Sequence, residues 1–152
     1  MGFAGKRIAW TAQRVARMSN EEFGAFLEAS AWLLFARILV ATVRLPRIKS
    51  VLGRIVPVAS CRLNSGNQLH FIELVSRAVS SSAVRLPGSF VCLPQAIAAR
   101  LMLGVRGVHV EICVGMGKDE QGAVRGHAWT VCGEAVVTGE RGREGCAVLM
   151  RF

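Results

Sequence analysis

The sequence has no tyrosine, few prolines (four) and few histidines (three), and only 10 acidic residues to set against 19 basic ones in its 152 positions. Each shortage excludes something. None of the five cysteines, at 61, 92, 113, 132 and 146, has a C-x-x-C neighbour. With three histidines this leaves no ligand spacing for a structural zinc site. The odd count speaks against a disulfide framework and for reduced thiols. No stretch reaches the roughly 18 uninterrupted apolar residues of a bilayer-spanning helix: the greasiest run, Ala29 to Leu45, is broken by Arg37 and Arg44. Nor does the start offer a signal peptide, since Met1–Trp10 leads into Arg14 and Arg17 without an apolar core. Lys6 stands where N-myristoylation needs Ser or Thr. The expected compartment is the cytoplasm. At 52% hydrophobic and 19% charged, the chain is too apolar for disorder and suits one packed domain with a small appendage.

The charge is uneven. Residues 1–62 carry ten basic and three acidic side chains, a net of +7, whereas residues 63–152 carry nine and seven, a net of +2. The first part is therefore suited to an acidic partner or an anionic membrane surface. Nucleic acid is not expected, because zinc-finger spacing and RNP-like aromatic motifs are missing.

Ser19-Asn20-Glu21-Glu22 has the spacing of a capping box ahead of an apolar run. The helix it opens should end near Arg44, since Pro46 disfavours helical geometry at Leu45. Phe23, Phe26, Leu27, Leu34, Ile38 and Ala41 make it apolar around most of its circumference, so it must be covered, by its own domain, a partner or a membrane face. Residues 46–66, with Pro46, Gly53, Pro57 and Gly66, read as a connector. Leu69, Ile72, Val75 and Val79 predict a second helix over 67–80, and Pro94 fits the first turn of a third that runs to about Gly104. Alternation then predicts strands at 108–114, 124–131 and 135–138, with Ala147–Met150 closing the sheet. Helices followed by antiparallel strands give an α+β fold, divided into a basic helical segment and connector (1–66) and a core (67–152).

Nucleotide and metallopeptidase motifs are missing. Glu120 stands where a dinucleotide fingerprint needs its third glycine, and there is neither a G-x-x-x-x-G-K-[ST] loop nor an H-E-x-x-H. Cys92 differs from the other cysteines because a loop feeds a helix there, and unpaired N–H groups with the helix dipole favour a thiolate. Next to Val91 and Leu93 it is otherwise buried filler. His70, His109 and His127 are the possible bases. His127, in Gly126-His127-Ala128-Trp129, lies on a strand beside a glycine, while His109 alternates with apolar neighbours. Trp129 should share the sheet face of His127. A Gly133-Glu134 turn would set Glu140 opposite His127, and a Cys132-Gly133 turn would set Thr138 there.

Cys92-Leu93-Pro94-Gln95-Ala96, the Ala-rich helix to Arg106-Gly107-Val108, the Ile112–Gly115 strand and Gly126-His127-Ala128-Trp129 together resemble the leader peptidases of lasso-peptide biosynthesis. These are transglutaminase-like members of the papain-type cysteine enzymes. The resemblance is closest over residues 85–139. It implies a papain-like core in which a helix bearing Cys92 packs on an antiparallel sheet bearing His127. The implied activity is a cofactor-free Cys–His–acid hydrolysis that removes the leader from a ribosomally made precursor. It also implies partners: the precursor leader, a separate leader-recognition protein acting in trans, and an ATP-dependent lasso cyclase. The family's Asp after the histidine is absent here, leaving Glu140, Thr138 or a backbone group as the third member. An acyl-transferring transglutaminase or amidase, and a non-catalytic binding subunit, are the rival expectations.

Overall fold

A computed structural model describes residues 18–55, 66–87, 91–118 and 121–152. Among them the chain forms four helices and one four-stranded antiparallel sheet, the expected α+β arrangement. The helices are α1 (Asn20–Thr42), α2 (Leu45–Ile55), α3 (Gly66–Arg85) and α4 (Cys92–Gly104). The strands β1 (Glu111–Lys118), β2 (Val124–Cys132), β3 (Ala135–Thr138) and β4 (Ala147–Arg151) lie in the order β3-β2-β1-β4.

Helix α1 starts where the capping box is expected. Ser19 Oγ accepts from the Glu22 N–H at 3.2 Å, and the Glu22 carboxylate accepts from the Ser19 N–H at 3.0 Å. The helix buries a stripe of mostly small residues, Ala25, Ala29, Leu33, Ala36 and Leu39. Their size lets α1 approach α3 and α4 closely. By length and composition alone α1 could cross a membrane, although Arg37 interrupts it as noted from the sequence and its small-residue stripe is buried in the domain. Arg44, counted against it in the sequence, lies beyond its end.

The expected connector over 46–66 is likewise corrected: Leu45–Ile55 is helical. Pro46 ends α1 as anticipated but occupies the first turn of the next helix, where its missing N–H costs nothing. Ile48 and Leu52, four residues apart, are both buried, while Arg47, Lys49 and Arg54 face outward. Helix α3 runs to Arg85 rather than Ser80, the three serines being absorbed into its last turns. The first strand begins at Glu111, not Val108.

Helix α4 is the axis of the molecule, buried without interruption from Ala96 to Leu103. One set of its side chains, Ala96, Ile97 and Leu101, packs with Ala36, Leu39, Ile48, Leu52, Ile112 and Ala128. The interleaved set, Ala98, Ala99, Met102 and Leu103, packs with residues of α1 and α3, Val110 and Val137. Just beyond it, Arg106 grips Glu28 of α1 with two bonds, at 2.9 and 2.6 Å.

Among the buried polar groups is His109, near the similarly buried Arg100, whose Nη1 donates to the Val110 carbonyl at 3.1 Å. Burial, aided by the Arg100 charge and opposed by Glu111, pushes the His109 imidazole below its ordinary value. The unfolded chain therefore takes up a proton first as pH falls through about 6.5. Stability from this group is complete above that pH and is lost progressively below it. Urea unfolding is expected to show stability falling from pH 7 to 5, with His109→Gln flattening part of the slope. An unchanged slope would remove His109 from the account.

Candidate active site

The nucleophile and base anticipated from the sequence sit on adjoining elements. Cys92 is the first residue of α4, half-buried, with a free thiol. The cap residue, Val91, offers no side-chain acceptor. The opening amides of α4 are thus uncapped by any side chain, and because Pro94 has no N–H, those of Cys92 and Leu93 are the donors within the helix's first turn. Cys92 and Leu93 pack against the core cluster that includes Ala128 of β2.

His127 is on β2, opposite Gly115 of β1. Its Nε2 lies 2.7 Å from the Gly139 carbonyl oxygen. A carbonyl only accepts, so Nε2 carries the proton and donates, leaving Nδ1 with the lone pair that a general base requires. The imidazole stacks on Trp129 at 5.9 Å and 19°, which places both on one sheet face as anticipated. Gly115 makes room for that indole: a Cβ there would come within 3.0 Å of Trp129 Cη2 and 2.6 Å of the Ala147 carbonyl. Gly142 closes over the imidazole, since a Cβ on it would lie 3.5 Å from His127 Cε1.

The faces of β2 separate the two groups. Thr130 donates to the Ala96 carbonyl of α4 at 3.2 Å, and Ala128 shares the α4 cluster, so even-numbered residues face the helix. Trp129 and Val131 form a separate cluster with Cys113 on the other side. His127 belongs to that outer face. Among the described residues no hydrogen bond joins its ring to the Cys92 thiol.

The third member is where expectation and structure differ most. Gly133-Glu134 is the turn, pairing Cys132 with Ala135 and Val131 with Val136. A bulge between Thr130 and Val131 then shifts the register, setting Thr138 opposite Thr130. Thr138 donates to Thr130 Oγ1 at 3.1 Å, on the helix side, and the ladder ends there. Glu140 is exposed and lies beyond the ladder instead of opposite His127. The backbone carbonyl of Gly139 is what holds the ring. A backbone group is among the third members the sequence leaves open, and the signal for its place is glycine at 139, whose φ of 78° only glycine adopts readily.

The other histidines are engaged elsewhere, His70 with Glu21 at 3.0 Å and His109 beside Arg100. Cys113 is buried, and that burial pushes its thiol up. The expectation of reduced thiols throughout is corrected at Cys132, which is disulfide-bonded. Spacing along the chain carries no information about which sulfurs the fold brings together. No group of three or more metal-ligating side chains occurs among the described residues.

A helix that begins with cysteine and packs on an antiparallel sheet bearing histidine defines a thiol–imidazole type of α+β domain. The chain belongs to the transglutaminase-like superfamily, whose family model matches residues 31–151, from within α1 to the end of β4. That membership is consistent with cysteine-type enzyme chemistry. No curated protein and no solved structure matches the chain.

Proposed function

We propose that the protein is a cysteine peptidase that cleaves the leader from a ribosomally made lasso precursor. The observation that carries this reading is the position of Cys92, a free thiol at the uncapped start of the buried helix of a transglutaminase-like domain. Cys92 Sγ attacks the scissile carbonyl while Nδ1 of His127 takes the thiol proton. The Cys92 and Leu93 amides receive the oxyanion. The C–N bond breaks as His127 returns the proton to the leaving amine, and water then hydrolyses the thioester, restoring the thiol. The leader-recognition protein would present the precursor, and the ATP-dependent cyclase would take the released core. The Gly139 carbonyl fixes the imidazole tautomer, the part that Glu140 was expected to play.

His127 stands on the outer face of β2, so this reading includes a closing step in which substrate binding brings imidazole and thiol together. Catalytic contacts commonly tighten only in the substrate complex. The same observation favours the second reading, a non-catalytic binding subunit. Site-resolved alkylation with iodoacetamide, followed by mass spectrometry with precursor and recognition protein present, separates them. The peptidase reading expects Cys92 to be labelled faster than the likewise half-buried free thiol of Cys146, and His127→Ala to remove the difference. It also expects the released leader to end in a free carboxylate, the thioester having taken up water; a leader ending in the amide of an added amine would mark acyl transfer instead. Labelling of Cys92 that ignores both His127 and the precursor would leave the binding subunit.

A further inference from the structure

Helix α1 has a second apolar face. Opposite its buried stripe, Phe23, Leu27, Leu34 and Ile38 recur at intervals of four, seven and four, and are 42%, 52%, 47% and 63% exposed. Such spacing puts them on one side of the helix. Phe35, at 39%, flanks them. The acidic side chain along this stretch, Glu28, has both oxygens bound by Arg106. Where the stripe ends, one turn beyond Ile38, the corner between α1 and α2 encloses a cleft of about 600 Å³ lined by Thr42, Val43, Arg44, Arg47 and Val51. Among the described residues, neither Arg44 nor Arg47 has a carboxylate partner.

We propose that this face docks on the surface of an anionic bilayer, with α1 lying in the plane of the interface and the cleft taking a lipid phosphate. Three observations select that occupant. The opposite stripe is locked into the core against α3 and α4, so α1 has only one side to give and cannot cross the bilayer without dismantling the domain. An apolar side chain row continuous with arginines matches the two layers of a membrane interface, acyl chains below and phosphates above. A second copy of the same surface would bring no free carboxylate to the arginines. The chain's charge of +9, concentrated in its first part, adds long-range attraction to the same surface.

Co-sedimentation of the full chain with vesicles of phosphatidylcholine, alone or mixed with phosphatidylglycerol, tests this without reference to peptidase activity. Binding to the mixed vesicles and little to the neutral ones is expected. Arg44→Gln with Arg47→Gln should weaken it roughly 25-fold, about fivefold per arginine. Leu34→Gln with Ile38→Gln should also release the protein, and neither pair should change the circular dichroism melt, because all four side chains lie outside the buried core. Failure to bind mixed vesicles would overturn the proposal. So would variants that bind as the parent does, or a sedimentation mass that doubles without lipid and reverts in Leu34→Gln with Ile38→Gln.

Discussion

Cys92→Ala is expected to abolish leader removal, with kcat/KM down by about 10⁴-fold or more, while the unfolding midpoint in urea moves little. Loss of a nucleophile leaves only binding and the oxyanion amides to act, and in thiol and serine hydrolases alike these retain a small residue of the rate. His127→Ala should fall nearly as far, because a thiol without its base must donate its proton to water. The two losses should not add, since both groups act in one step. Glu140→Gln is the contrasting case: its carboxylate lies beyond the ladder that was expected to align it with His127, so cleavage should stay within about threefold. These values come from initial rates on the purified precursor with the recognition protein present. A Cys92→Ala protein that still cleaves would place the chemistry elsewhere, and a severe loss in Glu140→Gln would return the carboxylate to the site.

The second large effect is on stability. At Gly139 an added Cβ would lie 2.6 Å from the Ala128 carbonyl oxygen and 2.9 Å from Trp129 Cα, both backbone atoms of the central strand. The residue also sits at φ 78°. Gly139→Ala must therefore both strain its own backbone and push β2 aside, and should cost about 3–4 kcal/mol in urea unfolding. Gly122 is the control, with a similar φ of 81° and nothing within 4 Å of an added Cβ. Gly122→Ala should cost about 1 kcal/mol, the price of the conformation alone. Equal losses at the two positions would mean that the segment carrying the His127 acceptor is not pinned against β2.

Much of the fold was legible because single periodicities decided it. The capping box at Ser19, the alternation through Ile112 and Val114, and the Gly133-Glu134 turn are local signals, and each is present in the fold, although the strand through Ile112 and Val114 starts three residues later than its alternation suggests. Helix α2 is obscured in the sequence because Pro46 and Gly53 are connector signals and only the Ile48–Leu52 pair marks its apolar face. Proline in a first turn and an exposed glycine both fit a helix that is held by burial of its apolar face. The site was legible in residue type but not in orientation. Chain spacing put Cys92 on a helix start and His127 on a strand, yet which face of β2 the imidazole occupies depends on how α4 crosses the sheet. The third partner escaped for a different reason. A one-residue bulge shifts the β3 register beyond Val136, and no side chain announces it; the group that meets His127 is a main-chain carbonyl, which every residue possesses.

The strand order also has a kinetic meaning. β1 and β2 are hairpin neighbours, Lys118 pairing with Val124 across a short loop, and β3 follows β2 through a tight turn. β4, in contrast, returns past both of them to pair Met150 with Val114. Three strands can therefore zip by closing small loops, whereas the last contact requires the ends of a much longer segment to meet, and loop-closure entropy grows with that length. The order of assembly is thus written into the topology: a meander first, and afterwards the returning strand that supplies Ala147 against Gly115 and completes the floor beneath Trp129.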